Sequence, residues 1–147
     1  MSANETPGRP PDRYSPHRIV NPSALAPPVG FSHAVVAAHG RVVFLGGQTA
    51  LRPDGSYEGR TVTEQFDRAA SNLATVLDAV GGKPEHLTQL TVYVTDVGAY
   101  RAALKDIGRA HRRRLGRHYP AMALFGVTAL FDSEALVELV GVAVIPE

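Results

Sequence analysis

Between residues 61 and 80 an apolar residue returns at every third or fourth position. Phe66, Ala69, Ala70, Leu73, Val76, Leu77 and Val80 form one stripe, which predicts an amphipathic helix. Thr61 with Glu64 fits a capping box at its start, and Thr63 fits a cap equally well. Gly81-Gly82 ends it, since glycine takes the left-handed C-cap without steric cost. The period then changes. In "LTQLTVYVTDV" (87–97), Leu90, Val92 and Val94 alternate with Thr91, Tyr93 and Thr95, which is the period of a strand. Helical spacing resumes over about 97–115, with Tyr100, Ala103, Leu104, Ile107 and His111 on one side.

The flanks read as strands. "SHAVVAA" (32–38) and "RVVFLGG" (41–47) surround His39-Gly40, a two-residue turn that suggests a hairpin. Tyr119-Pro120 leads into extended chain, because proline disfavours helix in the residue before it. Two closing strands follow, 121–130 and 135–145, around a turn at Phe131-Asp132-Ser133. The order β-β-α-β-α-β-β predicts an α+β fold, a mixed sheet with two helices on one face. The last strand, "ALVELVGVAVI", is apolar on both faces except at Glu138. Such a strand needs cover on both sides. No further helix is available, so a partner subunit is expected there, making a homo-oligomer.

Length and composition narrow this picture. The 147 residues suffice for one domain, placed at 17–147, and residues 1–16, rich in Pro, Gly and polar residues, read as a flexible tail. The start lacks the apolar core of a signal peptide and no run is long enough to span a membrane, so a cytoplasmic home is expected. The absence of cysteine excludes disulfides, zinc-thiolate sites and a thiol nucleophile. The net charge of +1 gives no global attraction to nucleic acid or anionic membrane. The run "HRRRLGR" (111–117) could touch phosphate, but a solvated helix end complementing the C-terminal dipole is the favoured reading. The six histidines show no metal-ligand spacing, and no phosphate or dinucleotide motif is present, so neither metal nor cofactor is expected. Glu138 has two readings: an outward or ion-paired structural residue, or a general base that positions water.

Five blocks in order, "GFSHAVVAAHGRVVFLGGQ" (30–48), "QFDRAASNLATVLDAVGG" (65–82), "LTVYVTDVGAYRA" (90–102), "YPAMALFGV" (119–127) and "LVELVGVAVIP" (136–146), resemble the Rid family, also called YjgF or L-PSP. The resemblance implies a chorismate-mutase-like homotrimer with clefts between subunits, and hydrolysis of enamines and imines to 2-keto acids and ammonia. It places Glu138 in the cleft as the catalytic carboxylate, with Phe31, Gly46, Gly47, Met122 and Ala123 as substrate-binding positions. Deaminating members carry an arginine directly after the strand-opening Pro-Ala, where it grips the substrate carboxylate. Here that residue is Met122, and a thioether makes no charge-assisted bidentate contact. Phe31 and Gly46 likewise stand where the family has a tyrosine and a serine. The implied ligand is a small, largely apolar molecule, and any chemistry is hydrolysis of an imine, enamine or related electrophile. A non-catalytic ligand-binding or scaffold trimer is the second reading. An RNA-cleaving role has no His or Lys constellation to carry it.

Overall fold

A computed structural model describes residues 15–147. Of the tail expected over 1–16, residues 1–14 lie outside the described residues. Ser15 is anchored, its hydroxyl donating to the Glu85 carbonyl at 2.7 Å. The elements that follow are β1 (Arg18–Val20), β2 (Ala34–Val36), β3 (Gly40–Gln48), α1 (Val62–Ala79), β4 (Leu87–Val94), α2 (Val97–Ala102), α3 (Leu104–Leu115), β5 (Ala121–Gly126) and β6 (Val137–Pro146). Four strands form a mixed sheet in the order β3-β6-β4-β5. Only β4 and β5 run parallel, joined through α2 and α3. The α+β class holds, and the three helices replace the two expected.

α1 begins as its sequence predicts. Thr61 is extended, and its hydroxyl oxygen accepts from Glu64 N–H at 3.2 Å. The Glu64 carboxylate takes Arg60 N–H instead of closing the box on Thr61, at 2.7 Å. The helix ends in a Schellman motif: Gly82 N–H donates to Leu77 O (2.8 Å) and Gly81 N–H to Asp78 O (3.0 Å), with Gly81 at φ +80°. The stripe is buried except at its end, where Val76 is half-buried and Val80 is exposed. Phe66, Leu73 and Leu77 meet Leu90, Val92 and Val94 of β4, Val137 and Leu139 of β6, and Ile107 of α3, all but lost to solvent. Each large apolar side chain so buried contributes about 1.5–3 kcal/mol.

Two expectations are corrected. The hairpin around His39-Gly40 does not form, and β2 pairs antiparallel with β1, Ile19 opposite Val35. A tight hairpin turn there requires left-handed backbone, and Gly40 has none. Gly40 serves close packing: a Cβ on it would press on the Ile145 backbone, 2.8 Å from its carbonyl carbon. β3 pairs instead with β6, Phe44 opposite Val142. The long second helix is split at Ala103 (φ −101°, ψ 10°), where neither proline nor glycine stands.

The face of the sheet away from the helices has no cover in the single chain. Phe44 is 81% exposed, Val42 57% and Phe125 53%. Tyr93, whose Cα partners are Glu138 and Phe125, stacks on Phe125 at 6.0 Å.

Candidate functional site

The expected site residues fall into two groups. The first surrounds Glu138. Along β6 the neighbours Val137 and Leu139 enter the core, so Glu138 points to the open face, half-buried. β3 and β6 slip register between Leu45 (opposite Gly141) and Gln48 (opposite Leu139), so Gly46 and Gly47 form a bulge beside it. A Cβ on Gly47 would overlap the Glu138 carboxyl group, 2.9 Å from its carbon. The glycine makes room for the carboxylate, and among the described residues no cation pairs with it. Glu138 therefore lies in a central strand and not at an edge.

The second group lines a cavity of about 920 Å³ between α3, edge strand β5 and the loop before β2. Phe31, Met122 and Ala123 belong to it. Local bonds set their places. Ser32 N–H donates to Pro120 O (3.0 Å) and its hydroxyl to Tyr119 O (2.6 Å), fastening the Phe31 loop to the start of β5. Pro120 then delivers the chain into β5 with Met122 turned toward the core, where it and Leu124 pack. Leu104 and Ile107 add apolar wall from α3. Met122 and Glu138 thus occupy opposite faces of the sheet, and a single chain does not bring the two groups together.

Polar side chains also line this cavity: Tyr100, His111, Arg112 and Tyr119. Burial pushes the Tyr100 phenol up to about 12. The His111 imidazole is held below its ordinary value, chiefly by burial; the hydrogen bond to the His118 carbonyl opposes this, and the charges of His118 and Arg112 add to the lowering. The ring stacks on Tyr119, centroids 4.8 Å apart and planes within 11°. Its Nε2 lies 3.0 Å from the His118 carbonyl, and His118 Nε2 lies 2.7 Å from the Leu87 carbonyl. His17 ties together segments between the elements, with Nδ1 accepting from Ala38 N–H (3.0 Å) and Nε2 donating to His86 O (2.9 Å). Among the described residues no three His, Cys, Asp or Glu side chains cluster in a way that could hold a metal ion.

The arginines of the basic run are exposed at the end of α3, as expected of a solvated helix end, and two of them also reach α1. Arg114 grips Asp67 of α1 with Nε (3.0 Å) and Nη2 (2.9 Å), and Arg113 adds a contact at 2.8 Å. Hydrogen bonds from Arg114 and then Arg113 hold the Asp67 carboxyl below its ordinary value. Asp67 gave no sign in the sequence, because its partners are more than forty residues away. His111 did give one: it was the polar member of a core-facing stripe.

Residues 21–145 match the family model described as Endoribonuclease L-PSP. Among solved structures, the chain is similar to YyfB of Yersinia pestis, described as a protein of unknown function of the conserved Rid family. The TM-score is 0.80 at 31% identity, covering 88% of this chain and 98% of that one. It is also similar to Rv2704 of Mycobacterium tuberculosis, of the YjgF/YER057c/UK114 family. There the TM-score is 0.59 at 26% identity, covering 80% and 88%. The DfrA protein of Myxococcus xanthus is 32% identical over 99 residues, 66% of this chain and 72% of that protein. The mitochondrial protein mmf2 of Schizosaccharomyces pombe is 31% identical over 88 residues, 60% and 67% respectively.

Proposed function

The chain belongs to the L-PSP family, also called Rid or YjgF, and we propose that it acts as a homotrimer binding a small, largely apolar molecule in clefts between subunits. The reaction proposed is hydrolysis of an imine, enamine or related electrophile. Glu138 takes a proton from water as the oxygen adds to the C=N carbon. Glu138 returns that proton to the nitrogen to give a carbinolamine, whose hydroxyl proton passes to nitrogen as the C–N bond breaks, releasing ammonia and a ketone.

Met122 carries this reading. It occupies the position where deaminating relatives place a carboxylate-gripping arginine, yet it packs among apolar side chains in the cavity wall. A substrate carboxylate buried against it would lose its hydration without gaining a cation. The placement of Glu138 and Met122 on opposite faces supports the assembly. A second subunit seated on the open face offers its own cavity edge to Glu138.

The family's name also carries a ribonuclease activity. That reading is less favoured here, since Asp67 engages two arginines of the basic run and His17, His111 and His118 each bond a main-chain carbonyl.

The test is Met122→Arg, assayed for ammonia release from freshly generated 2-imino acids. An Arg–carboxylate contact contributes about 1.5–3 kcal/mol, so the variant should gain roughly ten- to hundredfold over wild type. Glu138→Gln in that background should remove the gain. Wild type matching the arginine variant on 2-imino acids would overturn the reading. Unchanged ligand affinity with no turnover on any electrophile would favour the non-catalytic trimer.

A further inference from the structure

Resting on the reading of the cavity as the small-molecule site, we infer that His111 Nδ1 is a fixed hydrogen-bond acceptor within it, and that the cavity selects molecules combining an apolar body with a neutral N–H or O–H donor. The family's carboxylate position, Met122, offers no such group, so this acceptor is a separate determinant of specificity.

The tautomer follows from the partner. A carbonyl oxygen only accepts, so the proton shared at 3.0 Å with His118 O belongs to His111 Nε2. In a neutral ring the other nitrogen then holds a free lone pair. Burial and the cation of Arg112 both oppose a second proton. The face-to-face stack on Tyr119 fixes the ring plane, and Tyr119 is itself tied to Ser32 through its carbonyl. No described residue donates to Nδ1. Arg68 Nε is the sole buried side-chain polar atom without a partner among the described residues, so Nδ1 keeps accessible surface on a ring that lines the cavity. An acceptor held this firmly in apolar walls favours ligands that reach it with a donor, because their donor would otherwise be desolvated unpaired. Arg112 beside it disfavours ammonium compounds, which makes the donor a neutral one.

Indole and indene serve as probes of one bicyclic shape, with and without an N–H. Titration calorimetry should give indole an affinity about three- to tenfold above that of indene, the range of one neutral hydrogen bond. His111→Phe, which keeps an aromatic ring on Tyr119, should remove the difference between the two probes. Nitrogen-15 NMR of wild type guards against a variant that fails to fold. It should show His111 protonated on Nε2, with the Nδ1 resonance moving on addition of indole and not of indene. Equal affinities for the two probes, or a proton found on Nδ1, would overturn this inference and leave the cavity reading intact. Binding of neither probe would overturn both.

Discussion

Asp67 shows how one side chain can couple two helices. It sits on α1 and takes three hydrogen bonds from Arg113 and Arg114 near the end of α3. The arginines are 56% and 38% exposed, so solvent screening keeps the interaction modest, and Asp67→Asn should cost about 0.5–1 kcal/mol at neutral pH. The sign with pH follows from the depressed carboxyl. Its contribution is present in full above the ordinary value of 3.8 and is lost as pH falls through the lower folded value. Urea unfolding of wild type and Asp67→Asn should therefore give a stability gap at pH 7 that closes in strong acid; a gap that widened would refute the pairing. Gly47 is the other residue whose role is local. In Gly47→Ala the new Cβ meets the flexible end of Glu138 and not backbone, so the carboxylate moves and the fold tolerates it. The expected outcome is a stability loss within about 1 kcal/mol, together with loss of any Glu138-dependent turnover comparable to that of Glu138→Gln. Full activity in Gly47→Ala would show that the carboxylate position does not matter. Both readings needed coordinates: a charge pair between distant helices and a bulge opposite a carboxylate leave no periodic trace in a sequence.

At the scale of elements, signals that depend on a few neighbouring residues were legible. The stripe of α1, its Thr61 cap and its Gly81 stop all appear where expected, as does the alternation of β4. Gly81 carries the strongest local requirement, since its φ of +80° costs a residue with a Cβ about 1–2 kcal/mol. Gly81→Ala should lower the unfolding free energy by that amount in denaturant titration, whereas an unchanged midpoint would mean that the helix end rearranges freely. Strand pairing was harder to read. "SHAVVAA" and "RVVFLGG" look like adjacent halves of a hairpin, yet the β1 segment Arg18–Val20, in a stretch with no strand signal of its own, claims β2. The turn glycine was misassigned because glycine answers two needs, left-handed backbone and close approach, and Gly40 answers the second. The break at Ala103 had no readable cause, as alanine is the best helix former. Of the candidate site, the sequence supplied only the positions that the resemblance implies. Their division between two faces of the sheet came only with the packing.

That division is decisive at the scale of the whole molecule. The open face carries Val42, Phe44 and Phe125 largely exposed, with Tyr93 and Glu138 between them. An exposed apolar patch of this kind is characteristic of an interaction surface. Covering Phe44 alone in every subunit contributes about 1.5–3 kcal/mol per copy. Light scattering at micromolar concentration should accordingly give about three times the 15.7 kDa chain mass. Phe44→Glu should break the assembly to monomers, because it would bury three unpaired carboxylates per trimer, yet leave the far-ultraviolet circular dichroism unchanged, since Phe44 adds little to its own core. The two site halves should then separate in function. The cavity around Met122 and His111 is built within one chain, so the monomeric variant should still bind indole. In the proposed trimer Glu138 reaches a cavity across a subunit boundary, so turnover of an imine should be lost with the assembly. A monomeric wild type, or a dissociated variant that retains full turnover, would place the chemistry within one chain and remove the reason for joining the two faces.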